Sequence, residues 1–191
     1  MKSVLIRRGA LAAAAATGLL GLSAAAYAST SAHAAPARAA ARAPMCTAGD
    51  LGVWLALDQG NGAAGTIAYP LQFTNLSGHT CTLTGNPGVS VLSRSGQRLG
   101  SPAGWAVRSG ARTVYLAPGA TAHTLLAYHD VAVQTEPGCR PVNTAAELSV
   151  IPPDQRTATH AAFSFTACSR PGVIYLTVLE PIRPGPGTIN G

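Results

Sequence analysis

Glycine and proline cut this chain into pieces too short for helices. From residue 46 onward nearly every connection holds one or the other, and no window of about 12 residues carries the i, i+3, i+4 stripe of an amphipathic helix. Between the breaks, apolar residues alternate. Leu51, Val53, Leu55 and Leu57 form one series, and Ile67, Tyr69, Leu71 and Phe73 another, with Gly60, Asn61, Gly62 and Gly65 turning between them. A period of two puts such side chains on one buried face of a strand. The same reading predicts strands at Cys81–Thr84, Val89–Leu92, Thr113–Leu116, Ala122–Tyr128, Leu148–Ile151, Ala161–Ala167 and Val173–Leu179. Pro70 removes a ladder donor, which suggests an edge or a bulge. Ala117-Pro118-Gly119 suits a tight turn and predicts a hairpin between its flanking strands. Seven to nine short strands with regular turn signals predict an all-β fold, an antiparallel immunoglobulin-like β-sandwich, with a small barrel as the rival.

Four cysteines, Cys46, Cys81, Cys139 and Cys168, constrain that fold further. None lies in a Cys-x-x-Cys or Cys-x-x-His pair, so no short metal chelate is available and no metal is expected. An even number in an exported chain reads as two disulfides, for which three connectivities exist. The expected pairs are the two local ones, Cys46 with Cys81 and Cys139 with Cys168, because each joins the edges of neighbouring predicted strands. Each closes a loop of roughly 30 to 35 residues, a constraint of about 3.5 to 4 kcal/mol on the unfolded chain.

The export reading comes from the first residues. Lys2, Arg7 and Arg8 precede an uncharged apolar run from Gly9 to Leu22, the layout of a signal peptide. A membrane-spanning helix needs about 20 apolar residues, more than this Ala- and Gly-rich run supplies. Cleavage is expected after Ala34, with Ala28 as the alternative, which assigns residues 1–34 to the signal. Residues 35–45, an alanine tract with Pro36 and Pro44, read as a disordered leader, 46–181 as the β domain, and 182–191 as a flexible Pro/Gly tail. Losing residues 1–34 removes Lys2, Arg7 and Arg8, so 13 basic residues become 10 against 7 acids, and the net charge falls from +6 to +3. That balance, in an exported chain, argues against nucleic acid as a partner. The expected location is extracellular, in association with the cell wall.

Several short patterns occur in a fixed order: Cys46-Thr47-Ala48, Phe73-Thr74-Asn75, Ser77-Gly78, Cys81-Thr82-Leu83, Gly85-x-Pro87-Gly88-Val89 and Leu116-Ala117-Pro118-Gly119-x-x-Ala122. As a set, from about Cys46 to Leu179, they resemble the actinobacterial secreted proteins grouped as the domain of unknown function 4232 family. The resemblance implies an extracellular β-sandwich with paired cysteines and brings no catalytic residues.

The residues offer little for catalysis. No Gly-x-Ser-x-Gly turn is present for a serine nucleophile. His129 and Asp130 are adjacent, which on a strand sends them to opposite faces and makes a poor base and orienter. Acids are absent between Asp58 and Asp130, leaving few carboxylate pairs for glycoside cleavage. Of the four histidines after residue 34, His123 and His129 fall on one strand face but roughly 20 Å apart, so they cannot share a metal. His79 and His160, like these two, are read as exposed or edge histidines. No enzymatic activity and no cofactor are therefore expected.

One feature stands above this background. Arg94, Arg98, Arg108 and Arg112 share an acid-free stretch with Trp105 at its middle, the composition of a basic, aromatic loop. Its expected partner is anionic, a phosphate-rich wall polymer, a lipid head group or an acidic protein surface; the plainer reading is four arginines solvating a long loop. Trp54 is assigned to the core. The functional expectation is a secreted, non-catalytic module that binds an envelope or extracellular partner. The alternatives are a small secreted hydrolase with an unrecognised site and a structural protein that coats the envelope.

Overall fold

The computed structural model describes residues 43–132 and 137–188. The signal segment, leader residues 35–42 and residues 189–191 of the tail lie outside the described residues. The larger of two main sheets runs β1 (Leu51–Leu55), β3 (Thr66–Asn75), β9 (Thr121–His129), β14 (Leu176–Val178) and β7 (Gly104–Trp105). On this sheet β2 (Asn61–Ala63) also pairs with β3, and β15 (Arg183–Pro184) also pairs with β9. The second sheet runs β12 (Thr159–Ala162), β11 (Ala145–Ile151), β5 (Gly88–Ser93) and β6 (Arg98–Leu99). Two small ladders join β4 (Cys81–Leu83) to β8 (Val114–Leu116) and β10 (Pro141–Val142) to β13 (Ala167–Cys168). Pairing between strands is antiparallel except where β7 lies parallel to β14.

Alternation decides which side chains meet. Across the second sheet, Ala161, Leu148, Val91 and Leu99 stand in one register row, and all four are buried. Across the larger sheet, Phe73 faces Ala122 and Tyr69 faces Leu126, which in turn faces Val178. The inward residues of both sheets enter a single core, the packing of a sandwich. Burying Phe73 or Leu71 fully, as here, stabilises the fold by about 2 kcal/mol each. Both disulfides form, Cys46 with Cys81 and Cys139 with Cys168.

The structure revises several local expectations. Strand β3 is interior, yet Pro70 sits where it does no harm. Its carbonyl accepts from Ala56 N–H at 2.9 Å, so its missing donor points past the end of β1. The last β1 pair is Leu55 with Leu71, and β2 resumes on the same edge with Asn61 opposite Ala68. Between them Leu57 leaves the alternation in a 3-10 turn, Leu57–Gln59, and is exposed. The glycine-rich turn itself holds β2, folded back on β3 through Ala64 and Gly65, both at positive φ, as a two-residue hairpin turn demands. Pro118-Gly119 does turn the chain, with Ala120 N–H donating to the Ala117 carbonyl, but β8 pairs with β4 instead of β9. The turn is a corner between sheets and not a hairpin.

The predicted strand Ala161–Ala167 is two, β12 and β13. Between them Phe163 and Phe165 pack with Tyr128 at centroid distances of 5.9 and 5.0 Å, and the Tyr128 hydroxyl donates to the Thr166 carbonyl at 2.9 Å. The tail is corrected over residues 182–188. Ile182 is buried, β15 pairs with β9, and Gly187 lies so close to His123 and Pro70 that a Cβ there would come within 2.6 Å of the imidazole. At the other boundary, Pro44 and Met45, assigned to the leader, pair with Thr82 of β4.

Candidate functional site

The turn Thr84–Pro87, which follows β4, is the anchor for the basic segment. The Thr84 hydroxyl donates to Thr113 Oγ1 at 3.0 Å, and Asn86 Nδ2 donates to the Val107 carbonyl at 2.7 Å. The Pro87 carbonyl accepts from Trp105 Nε1 at 3.1 Å, and the Gly85 carbonyl accepts from Ile182 N–H at 2.9 Å. Trp105 is fixed further by its β7 pairing with Val178. Residues 108–112 therefore leave the fold between fixed points. Arg108 lies with its guanidinium carbon 5.2 Å from the Trp105 ring centroid, a cation–π contact of about 0.5–1 kcal/mol at an exposed site. Trp105 is 40% exposed, and Asn86 Oδ1, beneath the loop, is buried without a hydrogen-bond partner among the described residues.

The five residues singled out from sequence do not share one surface. Trp105, Arg108 and Arg112 belong to the anchored segment. Arg94 and Arg98 belong to the β5–β6 connection, where Arg94 N–H donates to the Thr144 carbonyl and Arg98 stands opposite Leu92. Arg94 lines a groove of about 400 Å³ with Ser95, Gln97, Leu99, Asn143 and Ser169. Arg112 lines a different groove of about 220 Å³ between β8 and β15, together with Tyr115 and Arg183. Its floor is apolar, since Val114 and Ile182 are both buried. Sequence reasoning missed Arg183 because the Pro/Gly pattern after Ile182 read as a tail. The available signal was Ile182 itself, an apolar residue with a place in the core.

Other expected positions also resolve. Trp54 is 42% exposed and not in the core. Leu51, Val53 and Leu55 face inward on β1, and alternation sends Trp54 outward, opposite Gln72. His79 and His160 are exposed, the latter 3.2 Å from Glu147. His123 is neither exposed nor at an edge. Its side chain is 16% exposed on an interior strand, Nδ1 lies 2.8 Å from the Gly185 carbonyl and Nε2 3.8 Å from Glu180. His129 and Asp130 take different partners. His129 Nδ1 lies 3.3 Å from Thr66 Oγ1, whereas Asp130 Oδ1 accepts from Ala132 N–H at 3.0 Å and lies 3.3 Å from the Tyr128 hydroxyl oxygen. Burial, then the Asp130 carboxylate, raises the Tyr128 phenol well above its usual range, which keeps it a proton donor. Among the described residues no three of His, Cys, Asp and Glu group as a metal site requires, and no helix is long and apolar enough to cross a membrane.

Fold and surface together define a small all-β domain, braced by two disulfides, with a basic segment tied to its framework at three points. The family model described as Domain of unknown function (DUF4232) matches residues 46–178, and the chain belongs to that family. No curated protein and no solved structure matches the chain.

Proposed function

We propose that this is an exported, non-catalytic module that holds an anionic component of the cell envelope on the surface around Trp105, Arg108 and Arg112. The carrying observation is the anchoring of that segment. Hydrogen bonds at Trp105, Val107 and Thr113 hold it in place, so little ordering entropy remains to be lost when a partner arrives. Arg112 has no hydrogen bond or ion pair to another described residue, which leaves its planar donor fork available for an oxyanion. Two disulfides accord with an oxidising, extracellular compartment.

The test is retention of the oxidised protein on purified anionic wall material across a salt series. Neutralising Arg108 and Arg112 (R108Q, R112Q) is expected to lower retention and flatten its salt dependence, because counterion-dominated contacts weaken first as salt rises. Neutralising Arg94 and Arg98 should matter less. Retention unchanged in R108Q/R112Q, or lost only when Arg94 and Arg98 are neutralised, sinks the reading.

A further inference from the structure

We infer that the groove between β8 and β15 is a phosphate-ester site, with Arg112 and Arg183 as the oxyanion clamp and Tyr115 as an additional donor. The inference deepens the proposed function and rests on it, since Arg112 belongs to both. Three observations carry it.

Two arginines from segments about 70 positions apart line the same groove, and no carboxylate is among its lining residues. Arg183 is also oriented in advance. Its Nε donates to Glu180 Oε2 at 3.1 Å, and Glu180 is itself held, its second oxygen 3.8 Å from His123 Nε2 and its carbonyl accepting from the Thr124 hydroxyl. That bond engages Nε, while the terminal nitrogens make no hydrogen bond to another described residue. The chain then runs on through Pro184 to Gly185, whose carbonyl meets His123, so Arg183 is fixed on both sides.

The third observation is the floor. Val114 and Ile182 are buried core residues that line the groove, and an apolar surface beside the two arginines strengthens their attraction for an anion by excluding water. It also selects among anions. A free inorganic ion gains nothing from an apolar floor, whereas the carbon atoms esterified to a phosphate lie on it. Two arginines and a phenol together bring more donors than a carboxylate's two oxygens accept, which suits a phosphate's larger set of oxygens. The expected ligand is thus a phosphate ester of a small aliphatic alcohol, borne by a polymer, a lipid or a free metabolite.

The experiment is an amide-shift titration of the oxidised protein with glycerol 3-phosphate, inorganic phosphate, glycerol and acetate in turn. Glycerol 3-phosphate should give saturable shifts at residues 112–115 and 182–184, with weaker binding of inorganic phosphate and none of glycerol. R112Q and R183Q should each weaken binding about tenfold, the loss of one charge-assisted hydrogen bond, and Y115F about threefold. Thermal midpoints within a few degrees of the parent establish that the variants are folded. Pelleting with phosphatidylglycerol vesicles, blocked by glycerol 3-phosphate, places the ester on a lipid; no pelleting with the soluble ester still bound places it on a polymer or metabolite, and the site stands in both. The inference fails if shifts do not saturate, if acetate reproduces them, or if R183Q binds glycerol 3-phosphate as well as the parent. That last result, together with loss of wall retention in R108Q, would leave the proposed function standing without this groove.

Discussion

The two small ladders, β4–β8 and β10–β13, have the same parts at different depths. Each carries one disulfide, and each borders an arginine-lined groove. In the first, Cys46 and Cys81 are both fully buried, with Leu83, Val114 and Leu116 beside them in the common core. In the second, Cys168 is buried but Cys139 is only partly so, and the neighbouring Gly138, Arg140 and Pro141 are exposed. The loops closed differ little, 35 and 29 residues of separation. Chain entropy alone would rank the two bridges almost equal. What separates them is packing: the first bridge is part of the core it staples, and the second holds a surface feature down. The groove beside β8 inherits that rigidity, whereas the groove at Arg94 lies beside the shallower ladder.

That contrast orders the expected effects. Replacing Cys46 and Cys81 together with alanine should cost about 5 kcal/mol, some 4 from loop closure and the rest from lost core contacts. Urea unfolding measures it, and a loss no larger than that of the other pair breaks the comparison. Replacing Cys139 and Cys168 should cost about 3.5 kcal/mol by the same measurement, the loop-closure part alone. Under limiting reductant with alkylation trapping, Cys139 and Cys168 should be labelled before Cys46 and Cys81, since an attacking thiolate needs access; the reverse order contradicts the assignment of depth.

The hydrogen-bonding residues beside each ladder sharpen it further. Asn75 is fully buried at the end of β3, donating to the carbonyls of Leu116 and His79 and accepting from Ser77. Asn75→Ala should destabilise by about 2 kcal/mol, because a buried carbonyl loses its partner. Asn143, beside β10, accepts from the Thr166 hydroxyl at an exposed position and makes no other side-chain hydrogen bond among the described residues. Asn143→Ala should cost less than about 1 kcal/mol in thermal unfolding, and a cost matching that of Asn75 would erase the difference between the regions.

Much of the framework was legible because one core faces every long strand. The alternation in β1, β3, β5, β9 and β11 located them, and local cysteine pairing followed from strands that are neighbours. Strands of two or three residues, such as β6, β7 and β15, leave no period to read. Pro118-Gly119 announced a turn but not which strand β8 would join, since pairing is set by tertiary contacts beyond the turn. Trp54 was misplaced by weighing its residue type above its even position among Leu51, Val53 and Leu55. The arginines clustered in sequence, but the chain passes from β6 to β7 on its way from one sheet to the other, which parts Arg94 and Arg98 from Arg108 and Arg112. Arg183 came close to Arg112 only through the β15–β9 pairing.

Pro70 has a consequence for how this fold tolerates change. Because its missing N–H opens a gap on one edge of β3, β1 and β2 occupy that edge in tandem, and the residues from Ala56 to Gly60 are a bypass that neither ladder measures. Length can vary there without shifting the register of either strand, provided a glycine stays where Gly60 meets the Tyr69 ring, 2.2 Å from where a Cβ would stand. The interior strand thus carries a splice point, a place where the chain can be extended while the sheet on both sides keeps its pattern.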